Sequence, residues 1–302
     1  MKKVELKGNI LLMLTALIWG CAFVAQSVSM DYIGPFTFQC VRSLIGSAVL
    51  IPVFLLLDAG KKRSGTYQSP TRENRKQLWF AGIICGIIMT VAANLQQFGI
   101  QYTTAGKAGF ITALYILLVP ILGLFLKKKV SPRLWLCIVL AMIGLYLLSV
   151  TEGFSSINKG DFYVMLCAVA FSFHIMAVDH YAPLVDGVRL SCIQFLICGA
   201  LSGVLMFVFE TPDIQGLLKA AVPILYAGIM SCGVAYTLQI IGQKYTKPTI
   251  ASLIMSLESV FAVIAGIVVL QEIPTTREAV GCILMFAAII IAQLPDKKHT
   301  SE

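Results

Sequence analysis

One acidic residue lies in the middle of a long apolar stretch. Glu258 stands eleven residues into the run near 247–270, close to the bilayer midplane if that run crosses a membrane. A carboxylate is costly to hold in hydrocarbon, so an intramembrane acid needs a functional or structural reason. Glu258 could carry a proton or contact a cation, or it could form a hydrogen bond between helices, and the residues leave both interpretations open.

Three basic or titratable residues also interrupt apolar runs. Lys107 lies near the end of its run, where its ammonium could extend to the interface or could contact an anionic group of a ligand. Arg42 lies deeper, and we interpret it as structural, paired with backbone carbonyls or an acid. His174 could respond to pH, or it could be a packing histidine with its hydrogen bonds satisfied.

Amides and aromatic rings follow helical spacing in two of the runs. Asn94, Gln97 and Gln101 share one helix face, and Gln239 shares another with Ser231. These stripes could line a polar pocket or form hydrogen bonds between helices. Three aromatic residues fall near mid-depth instead of at the interface, where they could form a cavity wall that stacks on a substrate or could pack between helices: Trp19, Tyr115 and Tyr236.

The composition requires lipid as the solvent for most of the chain. Of the 302 residues, 58% are hydrophobic and 13% are charged, whereas a soluble domain carries roughly a quarter charged residues. The net charge of +8 comes from short gaps between apolar runs, so we predict no nucleic-acid partner. Nine cysteines lie inside apolar runs without a CxxC pair, which argues against disulfides and zinc. We predict no cofactor and no metal.

The elements that hold these residues are ten apolar runs, each near the 20 residues that a spanning helix needs. They lie near 8–30, 34–57, 77–100, 102–126, 132–150, 159–179, 188–209, 217–243, 247–270 and 275–294. With a cytoplasmic N-terminus, 18 of the 23 Lys and Arg residues fall in cytoplasmic segments and 3 fall outside. This asymmetry predicts that both termini are cytoplasmic, in a multi-pass protein of the inner (cytoplasmic) cell membrane.

Short motifs recur in order along the chain. Lys7-Gly8-Asn9 matches Lys159-Gly160-Asp161, and Gly99 through Thr103 matches Gly242 through Thr246. Five spans in each half would insert the halves with opposite orientation, which is the architecture of many secondary transporters. We therefore predict an all-α membrane protein of two inverted five-helix repeats, over 8–150 and 159–294, with a cytoplasmic tail over 295–302. The GxxxG pairs favour packing inside the bundle, and a homodimer stays open.

Several motifs resemble the EamA-type transporters of the drug/metabolite transporter superfamily. The segment from Lys107 to Tyr115, followed by Val119-Pro120, resembles the fourth helix of that family. Leu257 through Ala262 and then Gly266, Gln271-Glu272 and Gly281 resemble its last two helices. Ile18-Trp19-Gly20 and Arg42 match patterns of its first two helices. The resemblance covers about residues 8–294.

The resemblance implies ten helices around a central cavity and an activity in the transport of amino acids or other metabolites, often by export. Two departures from the family pattern stand out. Ser259 replaces the usual proline after Glu258, and the basic run Lys127-Lys128-Lys129 replaces the first-half equivalent of Glu272. Because Glu272 stands at a predicted helix end, we interpret it as capping the helix or bridging a loop and not as a substrate contact.

We predict a secondary transporter, not an enzyme, that moves a small amphipathic metabolite by alternating access. An intramembrane enzyme, and a channel or sensor without coupled transport, are the alternatives; the sequence has no ATP-binding P-loop, HExxH or GxSxG motif. The predicted partners are a small-molecule substrate, the lipid bilayer and protons carried by Glu258. The predicted cavity residues are Trp19, Asn94, Tyr115, His174, Tyr236, Gln239 and Glu258, with Lys107 as a candidate anion contact.

Overall fold

The computed structural model describes residues 3–67, 69–103, 105–128, 130–149, 158–270 and 275–293. Within these ranges the chain is helical and contains no β-strand. The first three helices are α1 (Lys3–Ser29), α2 (Pro35–Arg63) and α3 (Arg72–Ile100). Pro35 begins α2, where its missing N–H interrupts no intrahelical hydrogen bond. The next two N–H groups, of Phe36 and Thr37, each donate to the Glu210 carboxylate at 2.8 Å, which caps the helix.

The stretch predicted as one span over 102–126 forms two helices, α4 (Ala105–Thr112) and α5 (Tyr115–Phe125), followed by α6 (Pro132–Ser149). At the break, Leu114 N–H donates to the Ile111 carbonyl at 3.2 Å and Ile116 N–H donates to Ala113 at 3.0 Å. These three-residue hydrogen bonds replace the four-residue ladder of an α-helix. The structure therefore differs here from the continuous helix that the apolar run predicts.

The second half of the chain contains the remaining helices. They are α7 (Lys159–Tyr181), α8 (Gly187–Phe209), α9 (Ile214–Lys219), α10 (Ala221–Leu225), a π segment (Tyr226–Ala235), α11 (Tyr236–Gln243), α12 (Pro248–Met255), α13 (Glu258–Leu270) and α14 (Thr276–Gln293). A capping box begins α7: Asn158 and Asp161 accept hydrogen bonds from each other's backbone N–H, both at 3.0 Å.

Two of the predicted spans in this half, 217–243 and 247–270, are also interrupted. Hydroxyl groups donate hydrogen bonds to backbone carbonyls at both interruptions. Between α12 and α13, the Ser252 hydroxyl donates to Thr249 O at 3.0 Å and the Ser256 hydroxyl donates to Leu253 O at 2.8 Å. Such bonds offer the backbone an alternative to the helical ladder. In the π segment, the Ala235 carbonyl accepts a hydrogen bond from Thr15 of α1 at 3.0 Å.

Seven of the described stretches are long and apolar enough to cross a bilayer. They are Glu5–Ser29, Pro35–Arg63, Arg72–Ile100, Lys159–Tyr181, Gly187–Phe209, Ala221–Gln243 and Pro248–Ala265. Three shorter apolar helices accompany them: Tyr115–Phe125, Pro132–Gly144 and Ala279–Ala292. Large apolar side chains such as Leu56, Phe80 and Phe207 are exposed on the outside of the bundle, as expected where lipid is the solvent.

Helix bounds recur along the chain at two nearly constant separations. Both bounds of α4 and α12 differ by 143 residues, as do the first residues of α5 and α13. The first residues of α2 and α8 differ by 152, as do the last residues of α1 and α7. The packing follows the same pattern, because α3 packs against α7 and the counterpart of α3, which is α10 through α11, packs against α1.

Two close helix crossings lie at opposite ends of the bundle. We call the end that carries Lys61, Lys128, Arg189 and Lys244 the basic end. The basic-end crossing is formed by Gly8, Asn9, Gly242 and Thr246, and the opposite-end crossing is formed by Gly99, Thr103, Gly160 and Asp161. At each crossing the backbones approach so closely that a Cβ on one glycine would lie about 3 Å from the facing glycine's carbonyl oxygen.

Candidate functional site

A narrow cavity lies in the middle of the bundle, and the space that a water-sized sphere can occupy between its walls is about 30 Å³. Side chains from α1, α2, α3, α7, the π segment and α11 line it, together with the two breaks between α4 and α5 and between α12 and α13. The lining residues are Trp19, Phe23, Gln26, Arg42, Gln96, Thr112, Tyr115, Phe171, Ile175, Ser231, Tyr236, Gln239 and Glu258.

The two broken helices meet in this cavity. Tyr115 is the first residue of α5 and Glu258 is the first residue of α13, so each stands at the N-terminus of the helix that follows a break. The Tyr115 hydroxyl donates a hydrogen bond of 3.0 Å to Glu258 Oε1, and both side chains are buried. The breaks therefore join the two helix N-termini through one acid and one phenol.

An aromatic wall stands beside this pair. The ring centroids of Trp19 and Tyr236 are 4.5 Å apart, and Phe195 packs edge-on against Tyr236 at 5.1 Å. The irregular π segment immediately precedes Tyr236, and segments of this kind are frequent at functional sites. The indole N–H of Trp19 is buried and has no hydrogen-bond partner among the described residues. The wall can therefore stack on an apolar group and still offer one donor.

Amides add unpaired acceptors to the same cavity. The Oε1 atoms of Gln26 and Gln239 are buried, and neither has a hydrogen-bond partner in the part of the chain that the structure describes. An unpaired buried polar atom costs about 1–3 kcal/mol, so such atoms are usually satisfied by water or by a ligand. The cavity thus combines apolar rings with polar atoms that need partners, which is the composition of a small-molecule site.

Arg42 brings a charge to the wall. Its side chain is 3% exposed, its Nε donates to Gln39 Oε1 at 2.7 Å, and its guanidinium lies 5.1 Å from the centroid of the Phe38 ring. Among the described residues, no carboxylate lies within 4 Å of the guanidinium. Arg42 is therefore a buried cation without an acidic partner in the described part of the protein.

Comparison with known proteins identifies the family. The model of the EamA-like transporter family matches residues 6–150 and again residues 158–293. The chain belongs to the EamA-like transporter family.

Similar proteins bear transporter names. An uncharacterized transporter of Archaeoglobus fulgidus is 31% identical over 96% of this chain and 87% of its own length. The uncharacterized transporter YoaV of Bacillus subtilis is 21% identical over 91% of this chain and 92% of its own. A WAT1-related chloroplastic protein of Arabidopsis thaliana is 23% identical over 92% of this chain and 67% of its own. The protein is accordingly a multi-pass membrane transporter of the drug/metabolite transporter superfamily.

A solved crystal structure has the same fold. It superimposes with a TM-score of 0.75 over 95% of this chain and 96% of the other chain, at 20% sequence identity.

The structure brings together five of the seven predicted cavity residues and places two elsewhere. The five that line the cavity are Trp19, Tyr115, Tyr236, Gln239 and Glu258. Asn94 instead lies between α3 and α8, where its amide donates to Thr90 O and Ser202 Oγ, both at 2.8 Å. His174 lies 3.1 Å from Gln194 Oε1, one layer behind Tyr236. The side chain of Lys107 lies outside the described residues, as does Glu272.

Sequence reasoning missed several lining residues that the repeat could have indicated. Trp19 and Phe171 are 152 residues apart, and so are Phe23 and Ile175. Gln96 and Gln239 are 143 residues apart, as are Tyr115 and Glu258. Applying the two offsets to the predicted set would therefore have added Phe171 and Gln96.

Proposed function

We propose that the protein is a secondary transporter that moves a small amphipathic metabolite, an amino acid or a related compound, by alternating access to the central cavity. The observation that carries the proposal is the cavity itself, which holds unpaired polar atoms beside aromatic rings in the middle of the bundle. The free space of about 30 Å³ between its walls is too small for a metabolite to pass. Binding therefore requires the bundle to move, as in a carrier, whereas a channel needs an open path.

We propose further that ten helices cross the membrane as two inverted five-helix repeats, over residues 8–150 and 159–294. The seven long helices and three shorter apolar ones supply that number. The constant offsets between helix bounds support a duplication, and the two family matches support the same division. An odd number of spans in each repeat would insert the second half upside down and place the cavity at the interface of the repeats.

The proposed orientation has both termini in the cytoplasm of a cell whose inner membrane holds the protein. Basic residues gather at the end of the bundle where α1 begins, α2 ends and the loops after α5, α7 and α11 lie. Positively charged loops are retained on the cytoplasmic side during insertion. We also propose export as the direction of net transport, which is what the resemblance to EamA-type transporters implies.

Glu258 is the proposed proton carrier. It is the one acid among the described cavity residues, and its Tyr115 partner can donate a hydrogen bond to the ionised form. A carboxyl group at the foot of a broken helix can release its proton to either side as the two ends of the bundle open in turn. Ser259, beside it, donates to Gly109 O at 3.3 Å and ties α13 to α4.

The decisive experiment is counterflow in proteoliposomes. Vesicles are loaded with an unlabelled amino acid and diluted into a trace of the same labelled compound, across a panel of amino acids. A carrier gives transient accumulation of label that saturates with substrate. If no compound accumulates and small solutes leak through the protein without saturation, the protein is a channel and the proposal is wrong.

A variant of Glu258 tests proton coupling in the same vesicles. Glu258→Gln keeps an oxygen that accepts from Tyr115 but cannot carry a proton. We expect it to abolish substrate movement driven by a pH gradient while counterflow continues. Glu210→Gln is the matched control, since it makes the same substitution at an acid that caps α2 outside the cavity, and it should retain proton-driven movement. Unchanged proton-driven transport in Glu258→Gln would contradict this role.

A further inference from the structure

Arg42 holds the one cationic side chain among the described residues that line the cavity. Its guanidinium has several N–H groups in a planar fork, and it stays protonated at all physiological pH values. Nε is occupied by Gln39, but neither Nη atom has a hydrogen-bond partner among the described residues. The free edge of the fork therefore belongs to the cavity and not to the surrounding helices.

A buried ion without a counterion is strongly disfavoured in a low-dielectric interior. The Phe38 ring covers one face of the guanidinium, which stabilises the cation and restricts its orientation. The ring supplies neither negative charge nor acceptors for the Nη groups. Those groups are best satisfied by a carboxylate or phosphate, which can accept two parallel hydrogen bonds from the fork.

The two repeats differ in charge at the positions equivalent to Arg42 and Glu258. The residue 152 positions after Arg42 is Gln194, which is neutral, fully buried and occupied with His174. The residue 143 positions before Glu258 is the neutral Tyr115. Among the described residues, the cavity therefore carries one cation from the first half and one acid from the second, and the equivalent residue of the other half is neutral in each case. Such a cavity has distinct ends and can hold a polar molecule in one orientation.

The charges also limit the ligand. Arg42 and Glu258 do not form an ion pair, although both line the same cavity as Tyr236 of the aromatic wall. Of the described lining residues only Arg42 is cationic and can neutralise one negative charge, so a phosphate dianion would leave a second charge without a described partner. The unpaired oxygens of Gln26 and Gln239 offer acceptors for an ammonium group. The cavity is thus complementary to a monocarboxylate that also carries an N–H donor and an apolar side chain.

From these observations we infer that Arg42 binds the carboxylate of the substrate, so that recognition requires a free carboxylate. The inference rests on the proposed function for the identity of the ligand as a transported molecule. It changes the role of Arg42 from a helix-packing residue to the specificity-determining contact of the site. It also separates acceptable substrates, which have a free carboxylate, from amides and amines of the same shape.

The test is binding to purified protein in detergent, followed as ligand-induced stabilisation against heat. The probes are the apolar L-amino acids, the amide of each, and glycerol 3-phosphate as the phosphate probe. We expect at least one amino acid to stabilise the wild-type protein and its amide to bind at least tenfold more weakly. Equal binding of acid and amide, stronger stabilisation by glycerol 3-phosphate, or stabilisation by none of the acids would each overturn the inference.

Variants of Arg42 separate recognition from folding. Arg42→Met should weaken binding of the acid about 100-fold, the size expected for a lost charged, paired hydrogen bond. Arg42→Lys keeps the charge without the fork and should weaken binding about tenfold. The matched control is Arg189→Met: Arg189 is paired with Asp58 outside the cavity, so its loss should lower the melting temperature and leave the affinity unchanged.

The melting temperatures of the ligand-free proteins provide a second test that needs no substrate. If Arg42 has no structural partner beyond Gln39, Arg42→Met should retain or exceed the wild-type melting temperature, since an apolar side chain replaces an uncompensated ion. A fall in Arg42→Met as large as that in Arg189→Met, with ligand affinity retained, would identify Arg42 as structural and overturn the inference. Counterflow of an amide would overturn the role of Arg42 and leave the carrier function intact. Binding that depends on Arg42, without any counterflow, would contradict the proposed transport and leave the role of Arg42 intact.

Discussion

The two glycine crossings have the same geometry and different chemistry. At the opposite-end crossing, the Thr103 hydroxyl donates to the Asp161 carboxylate at 2.7 Å. At the basic-end crossing, the equivalent Thr246 hydroxyl donates to the neutral amide oxygen of Asn9 at 3.0 Å. Hydrogen bonds to ionised acceptors are shorter and roughly twice as strong as those between neutral groups.

Further contacts at the opposite-end crossing increase its strength relative to the basic-end crossing. Asp161 also belongs to the capping box at the start of α7, and the neighbouring Lys159 ammonium lies 3.6 Å from the centroid of the Tyr102 ring. The two crossings therefore provide the same close approach of helices with unequal reinforcement. In a transporter of this kind, the weaker crossing separates at lower cost. The comparison predicts that the basic-end crossing separates more readily than the opposite-end crossing.

The largest effects should come from the glycines themselves. A Cβ at Gly99 would lie 2.9 Å from Gly160 O, and one at Gly242 would lie 3.1 Å from Gly8 O, both backbone atoms. Alanine at either position should lower the free energy of unfolding by about 1–3 kcal/mol. Gly60→Ala is the control, because nothing lies within 4 Å of its Cβ and alanine favours the helix. Thermal unfolding in detergent measures all three, and similar melting temperatures would mean that the crossings are not tightly packed.

The membrane class could be predicted from the apolar composition of the sequence, and the internal repeat could be predicted from short motifs that recur along the chain. The Gly8 and Gly99 motifs indicated the duplication, and their glycines form the two crossings. The offsets of those motifs then recur in the helix bounds and in the cavity. Length, hydropathy and close-packing glycines are local features, and local features are readable from one chain.

The sequence did not predict the direction in which each side chain points. A helix that faces lipid on one side and a packed core on the other is apolar all round, so periodicity does not distinguish its faces. Asn94 and Gln96 lie two residues apart, yet Gln96 lines the cavity while Asn94 binds Ser202. Depth in the apolar run led us to interpret Arg42 as structural, and only the packing of α2 against α8 and the π segment shows that it also lines the cavity.

The threonines should separate the two crossings more finely than the glycines. Thr246→Val removes a neutral interhelical hydrogen bond, which is worth about 0.6 kcal/mol on average in membrane proteins. Thr103→Val removes a bond to a carboxylate and should cost roughly twice as much. Valine has the shape of threonine, so packing is retained in both variants. Unfolding measured side by side would contradict the asymmetry if Thr246→Val lost as much stability as Thr103→Val.

The smallest predicted effect isolates the charge of Asp161. Asp161→Asn keeps an acceptor for Thr103 and a side chain that can cap α7, so it makes the opposite-end crossing resemble the basic-end crossing. In that background, Thr103→Val should cost about 0.6 kcal/mol, as Thr246→Val does in the wild type. The double-mutant cycle of Thr103 and Asp161 then yields a coupling of about 0.6 kcal/mol. A coupling near zero would mean that the carboxylate strengthens the crossing through the helix cap alone, and that the two ends differ in capping and not in the bond between their helices.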